Sequence, residues 1–463
     1  MHITFKNLGV IKQADLTLGD LTIVCGKNNT GKTYVTYATY GFLDFWHKEL
    51  SIEIPSNIVT EVMEKGSISV PIEQFAKDAD KILKEASSRY SELIDKVFAG
   101  KESLFEESCL SVKVEKSKDF KSNSVSFTAG SAVRSMLKVT SKDGDEYLTI
   151  SLLVNKSTEY LLPRQFVENM ISAAIRDLVF KDKMPRPFIA SAERTGAAIF
   201  QKELDFTRSR LIDLIRDRDS KISPARLLGR FSAKYPMPVK KNVDFIRDLP
   251  NILHRESIFS KQYPEVLEAF SDIIGGEYKV TKGGEVQYIP ANKRSVKLTL
   301  VESSSAVRSL LDIGFYLRHV AQRGDLLIVD EPELNLHPEN QRKVARLFAM
   351  LVNHGIKVFI TTHSDYIIKE LNTLILLNNG GERLQSLADR EGYKSTELLS
   401  SDKLSVYIAK EALIQVDGEK RKSRCHTLVK AAVTEETGIA LESFDITIEN
   451  MNRIQEEIIW GEG

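Results

Sequence analysis

Two short motifs that serve one chemistry stand 298 residues apart, from Lys32 at position 32 to Asp330 at position 330. Whatever this chain folds into must bring those two segments to one place and carry most of the residues between them as an insertion. The first motif is Gly26-Lys27-Asn28-Asn29-Thr30-Gly31-Lys32-Thr33, which fits G-x-x-x-x-G-K-[ST]. Before it, Leu21-Thr22-Ile23-Val24-Cys25 is apolar and β-branched, as a buried strand requires. After it, Tyr34 to Leu43 reads as a helix. Strand, glycine-bounded loop and helix are the setting in which this motif binds phosphate. Glycine lets the backbone close around an anion without a Cβ in the way. Successive N–H groups and the helix N-terminus then face the charge. In that setting Lys32 reaches the β- and γ-phosphates and Thr33 holds Mg²⁺ by its hydroxyl. A chance glycine-rich turn before Lys-Thr is the bland alternative, and the flanking strand and helix count against it.

The second motif is Leu326-Leu327-Ile328-Val329 followed by Asp330-Glu331-Pro332. It reads as a central parallel strand ending at the ligand edge of a sheet. Asp330 is the candidate for the Mg²⁺ shell and Glu331 for orienting or deprotonating the attacking water. A lone Asp-Glu pair is commonly just solvated, but not beside a phosphate loop. Lys357-Val358-Phe359-Ile360-Thr361-Thr362 predicts a further strand, with His363-Ser364 at its end. His363 is placed to sense a γ-phosphate by a hydrogen bond. Ser303-Ser304-Ser305-Ala306-Val307-Arg308 opens an apolar helix. The three serines are candidates for phosphate contact, although the segment taken alone favours ordinary N-capping.

These four pieces, in this order, resemble the ATPase head of the ABC class. The form resembles the SMC, RecF and OLD-like branch, both in Asn28 of the loop and in the run Asp330-Glu331-Pro332-Glu333-Leu334-Asn335-Leu336-His337-Pro338. The resemblance covers about residues 1–50 and 280–380. It implies an α/β fold: a P-loop ATPase head with a mixed sheet flanked by helices, an antiparallel β-subdomain and a large, mainly helical insertion. It implies ATP and Mg²⁺ as cofactors and a homo-oligomer whose minimum unit is a head-to-head dimer sandwiching two nucleotides. Ser303 to Ser305 would then act across the dimer, and Leu336-His337-Pro338 would link the two sites. The glycine expected after the serines is Ser305 or Ala306, so the register of that contact is open. The glutamine that holds Mg²⁺ in such heads has no clear counterpart. Phe188-Ile189-Ala190-Ser191-Ala192-Glu193-Arg194-Thr195-Gly196 is a candidate region, in which Arg194 either meets nucleotide or pairs with Glu193. The layout also resembles the stand-alone ATPases of bacterial anti-phage systems of the PARIS type, with Septu and retron-associated ATPases as near relatives. That resemblance implies a separate effector protein as partner and a phage protein as possible trigger.

The 463 residues exceed one typical core, so more than one structural unit is expected. With 64 basic and 64 acidic residues the formal charge is zero, and any nucleic-acid surface must come from local segregation. Arg208 to Lys241 holds ten basic residues against three acids, a stripe that suits DNA, an acidic protein or simply solvent. Cys25, Cys109 and Cys425 are too scattered for a metal site or a disulfide framework, which fits the cytoplasm. The first residues lack the pattern of a signal peptide, and no apolar run is long enough to span a membrane.

The expected organisation is a first head segment at 1–50, a helical insertion at 51–107, a β-rich segment at 108–155 and a helical, basic insertion at 156–276. The second head segment follows at 277–400 and a helical segment at 401–463. Residues 2–25 read as three short strands, which the β-rich segment extends into the antiparallel subdomain. Ile448, Met451, Gln455, Ile458 and Ile459 fall at helical spacing near the end, with packing on the core as the default. OLD-like nucleases carry a further metal-binding domain with D-x-D after the ATPase. No D-x-D follows His363 here, so no nuclease is expected in this chain. Three function classes result: a regulatory ATPase of a defence complex, a RecF- or SMC-like DNA-binding ATPase in repair or recombination, and a transporter ATPase. The long insertion counts against the third.

Overall fold

The computed structural model describes residues 1–115, 125–130, 135–142, 144–153, 163–181, 183–199, 235–440 and 446–460. The N-terminal residues form β1 (His2–Leu8), β2 (Ile11–Thr17) and β3 (Leu21–Cys25). Further along come β4 (Ser67–Pro71), β5 (Cys109–Lys113), β6 (Val125–Gly130), β7 (Ser135–Ser141), β8 (Tyr147–Leu152) and β9 (Pro187–Ala190). The second half adds β10 (Gly276–Val280), β11 (Val286–Pro290), β12 (Leu298–Thr299), β13 (Leu326–Asp330), β14 (Lys357–Thr362), β15 (Leu404–Ile414) and β16 (Ser423–Lys430).

One mixed sheet organises the molecule, in the order β5-β1-β2-β16-β15-β3-β14-β13-β9. From β15 to β9 every neighbouring pair is parallel. The other wing is antiparallel at β1–β2, β1–β5 and β15–β16. In the parallel wing the strands are buried on both faces, and alternate residues feed two cores. Leu326 and Ile328 enter the core that holds the Lys32–Lys48 helix, while Leu327 and Val329 enter the core that holds the Pro338–Asn353 and Asp365–Leu377 helices. This is the layering of a P-loop ATPase head, and because β3, β14 and β13 run parallel, their C-terminal ends lie on one edge. In register, Cys25 stands opposite Thr362, and Thr361 opposite Asp330. The residues that follow these strands are the loop at Gly26, Glu331 and His363.

Several expectations need correction. Residues 404–414 and 423–430 are strands, not helix, and β15 lies in the middle of the main sheet between β3 and β16. Lys410-Glu411-Ala412-Leu413 favours helix locally, but the preceding Leu404-Ser405-Val406-Tyr407 is buried between neighbouring strands, and pairing with β16 overrides propensity. The helical insertion at 51–107 contains β4. Of the β-rich segment only β5 joins the N-terminal strands; β6, β7 and β8 pair with β4 in a separate antiparallel sheet. Ile446–Trp460 is a helix whose residues 450–460 are exposed, Ile458 at 76% and Trp460 at 80%, so this stretch does not pack on the core. Of the basic stripe, Arg208 to Lys234 lies outside the described residues; Lys240 and Lys241 belong to the Met237–Arg247 helix. Cys25, Cys109 and Cys425 are free, and no helix among the described residues is long and apolar enough to cross a membrane.

Candidate nucleotide site

The loop Gly26 to Gly31 winds tightly, with Gly26 at φ 144°, Asn29 at φ 62° and Gly31 at φ 99°. A Cβ on Gly26 would sit 2.5 Å from the carbonyl oxygen of Ala409 on β15, so glycine is required by the neighbouring strand as well as by φ. Lys27, Asn28 and Asn29 are exposed, and Thr30 Oγ1 donates to the Lys27 carbonyl at 2.8 Å. Gly31 caps the Lys32–Lys48 helix in the left-handed conformation without a side-chain bond. Lys32 folds back over the loop, its Nζ donating to the carbonyls of Gly26 and Lys27, each at 2.8 Å. Burial lowers its pKa, opposed by the charges of Glu331, Asp330 and Glu333. Thr33 is exposed at the start of the helix.

Asp330 ends β13 and is 1% exposed. Thr361 Oγ1 donates to its Oδ1, while its Oδ2 has no hydrogen-bond partner among the described residues. Burial, helped by the charges of Glu331 and Glu193, raises the carboxyl to about 6 against the Thr361 bond and the charge of Arg194. A buried carboxylate oxygen without a donor, on the sheet edge that carries the phosphate loop, fits a Mg²⁺ ion, and the exposed Thr33 hydroxyl suits the same cation. Glu331 takes φ +50°, a strained conformation for this residue. Its N–H is fixed to Thr361, at 3.2 Å from the carbonyl oxygen and 3.1 Å from Oγ1.

His363 follows β14. Its Nδ1 lies 3.0 Å from Glu333 Oε1 and 3.7 Å from Glu331 Oε1. The His363 N–H also donates to Glu333 Oε1 at 2.8 Å. Glu333 is 7% exposed and anchors this corner; it stood in the sequence only as part of the Asp-Glu-Pro-Glu run, with no signal for its own role.

The three serines divide their work. Ser303 Oγ donates to the Leu300 carbonyl at 2.7 Å, Ser304 caps the Ser305–Ser309 helix by accepting from Val307 N at 3.3 Å, and Ser305 opens that helix. Ser303 is buried and Ser304 exposed. Among the described residues no hydrogen bond joins these serines to the phosphate loop. The helix also breaks at Leu310 before resuming at Leu311–His319.

Neither expectation for Arg194 is met. It is 1% exposed, and its four hydrogen bonds go to the carbonyls of Ser309, Ser191, Asp330 and Glu331. Its neighbour Glu193 instead accepts from Tyr37 Oη at 2.9 Å, one helical turn beyond Thr33. Both residues owe their roles to contacts far along the chain. Among the described residues no group of three or more His, Cys, Asp or Glu side chains is arranged to hold a metal by itself.

Residues 188–368 match the model of the AAA ATPase domain family, a span that begins in β9 and contains Arg194, Ser303 to Ser305, Asp330, Glu331 and His363. The energy-coupling factor transporter ATP-binding protein EcfA of Methanothermobacter thermautotrophicus is 28% identical over 80 residues, 17% of this chain and 26% of that protein. The match therefore spans about a quarter of that relative's length. Among solved structures, an Smc head bound to the C-terminal winged-helix domain of ScpA aligns at a TM-score of 0.34 and 11% identity, covering 94% of this chain and 98% of that one. The SMC head domain from Thermotoga maritima aligns at 0.30 and 9%, covering 93% and 98%. Residues 188–368 are thus similar to an ATPase domain of the AAA type, and the fold brings the loop at Gly26–Thr33 to the same edge of the sheet as the strand end at Asp330.

Proposed function

We propose that this chain is an ATP-hydrolysing regulatory subunit that assembles with a separate effector protein and controls it. Its setting is an anti-phage complex of the kind that the AriA ATPases of PARIS-type systems form. The observation that carries the ATPase part is the convergence of Lys32, Asp330, Glu331 and His363 on one sheet edge, with the serine segment held apart from the loop. The effector and the defence setting rest on the resemblance of the head motifs and their spacing.

Lys32 gives up the carbonyls of Gly26 and Lys27 and turns its charge to the β- and γ-phosphates, while the loop N–H groups cradle the anion. Thr33 and Asp330 would hold Mg²⁺, which neutralises phosphate charge when bound. Glu331 orients the water. Glu333 Oε1, 3.0 Å from Nδ1, orients the His363 ring at the edge of the site. Ser304, exposed at its helix start, completes the site of a second copy, so the head-to-head dimer is the working unit.

The test begins with ATP turnover and binding by the purified protein. Lys32→Ala abolishes binding; Glu331→Gln keeps binding, stops turnover and accumulates the dimer. Turnover by Glu331→Gln at the wild-type rate would refute its role. Co-expression with the product of the adjacent gene, followed by native mass measurement with and without ATP, tests the partner. A stable complex of several ATPase copies with a toxic protein supports the regulatory reading. A lone ATPase that retains DNA overturns it.

A further inference from the structure

A buried guanidinium usually meets a carboxylate, yet Arg194 spends its hydrogen bonds on four backbone carbonyls. Three of these belong to two separate parts of the nucleotide site, the serine segment and the strand end at Asp330-Glu331. Nε reaches Ser309 at 2.7 Å, the last residue of the helix that Ser304 caps. Nη1 reaches Asp330 at 2.7 Å, and Nη2 reaches Glu331 at 2.9 Å. The fourth, Ser191 at 2.8 Å, fixes the turn that carries Arg194 itself. The guanidinium is planar and rigid, so these carbonyls cannot shift independently of one another while the bonds persist.

Glu331 shows why this matters. Its left-handed backbone persists only if its peptide groups are held. Thr361 holds the N–H side and Arg194 the carbonyl side. Burial lowers the pKa of Arg194, opposed by the charges of Asp330, Asp312 and Glu333, of which Asp312 lies on the Leu311–His319 helix immediately after the serine segment. Arg194 therefore has one end on the serine segment and the other on Glu331.

We propose that Arg194 is a positioning residue that couples the serine segment to Glu331. A shift of the Ser305–Ser309 helix, as when Ser304 meets the phosphate of a second copy, passes through the guanidinium to the Glu331 peptide and sets the carboxylate for hydrolysis. The inference rests on the ATPase reading of the site.

The test uses the full chain as wild type, Arg194→Lys, Ser304→Ala and the double variant. Lysine keeps the charge but cannot span the three carbonyls in one plane. Arg194→Lys is expected to lower kcat by about tenfold or more with KM changed less than about threefold, and Ser304→Ala to lower kcat likewise. The double variant is expected to be no slower than the slower single one, because both act through one connection. Hydrogen exchange supplies a second readout: ATP protects the peptide covering 330–336 in the wild type, and Ser304→Ala loses that protection. Ser304 is exposed, so this variant reports even if the buried Arg194 change compromises folding. Multiplying kcat losses, unchanged turnover in Arg194→Lys, or retained protection in Ser304→Ala would each overturn the coupling. A wild type that neither binds nor hydrolyses ATP overturns the ATPase reading and the coupling with it. Lys32-dependent turnover that Arg194→Lys leaves intact removes the coupling alone.

Discussion

Lys241 Nζ lies 2.8 Å from Asp44 Oδ2, joining the end of the basic stretch to the helix that follows the phosphate loop. Asp44 is 3% exposed and also pairs with Lys48. Burial pushes its carboxyl up, but the hydrogen bonds from Lys241 and Lys48 outweigh that and hold it below its ordinary range. This lysine is thus engaged in an ion pair within the protein. Lys241→Met is expected to destabilise the protein by about 1–3 kcal/mol, less than the loss of a sole partner because Lys48 remains. Urea denaturation checks this, with ATP affinity unchanged; full wild-type stability would show that the pair contributes nothing.

Glu333 and His363 make a second prediction. Glu333→Gln keeps an oxygen to accept the His363 N–H but removes the carboxylate beside Nδ1. If Glu333 orients His363 towards the phosphate, kcat falls by about tenfold while ATP binding changes little. Steady-state kinetics beside equilibrium nucleotide binding separate the two. An equal loss of both would mean that Glu333 merely holds the corner together.

The residues legible in the sequence are those whose chemistry is local. Gly26 to Thr33 is contiguous because one loop must wrap one anion, and Asp330 is marked by the apolar strand before it. Arg194 was visible as a residue but not in its role, since its partners Ser309, Asp330 and Glu331 lie 115, 136 and 137 positions away. β15 departs from the expected helix because Lys410 to Leu413 favours helix locally, while pairing decides its state, Leu404 to Ile408 with β3 and Tyr407 to Ile414 with β16. The Ile446–Trp460 helix shows the converse: its periodicity predicts the helix but not whether anything covers it, and Met451, Ile454, Ile458 and Ile459 are exposed.

Glu370 makes a third prediction. It is 3% exposed and accepts from Arg342 Nε at 2.6 Å and Arg346 Nε at 2.5 Å, tying the Pro338–Asn353 helix to the Asp365–Leu377 helix beyond His363. Arg346 also stacks on Tyr393, 3.9 Å from the ring centroid. Glu370→Ala leaves two guanidinium groups without their carboxylate and is expected to cost about 3–5 kcal/mol. Chemical denaturation measures it, and a loss below about 1 kcal/mol would show that both arginines find solvent instead.

Asp312 sets the pH dependence. It is 1% exposed, neither carboxylate oxygen has a hydrogen-bond partner among the described residues, and Arg194 and Tyr278 feel its charge. Burial raises its pKa from 3.8 to about 7, with Arg194 pulling the other way. Because the folded-state value is the higher one, the protonated carboxyl contributes stability that is fully present below the unfolded value and is lost as pH rises through the folded value. Between pH 5 and pH 7 the unfolded chain is already ionised while the folded one still holds its proton, so each pH unit costs up to about 1.4 kcal/mol. Asp312→Asn has no proton to lose. Over those two units the wild type is therefore expected to fall by roughly 2 kcal/mol relative to Asp312→Asn, with the difference levelling off above about pH 8. Denaturation curves of both proteins across this range check the slope. A stability difference that stays flat, or a wild type that gains on the variant as pH rises, would mean that Asp312 is ionised in the folded protein and held by Arg194.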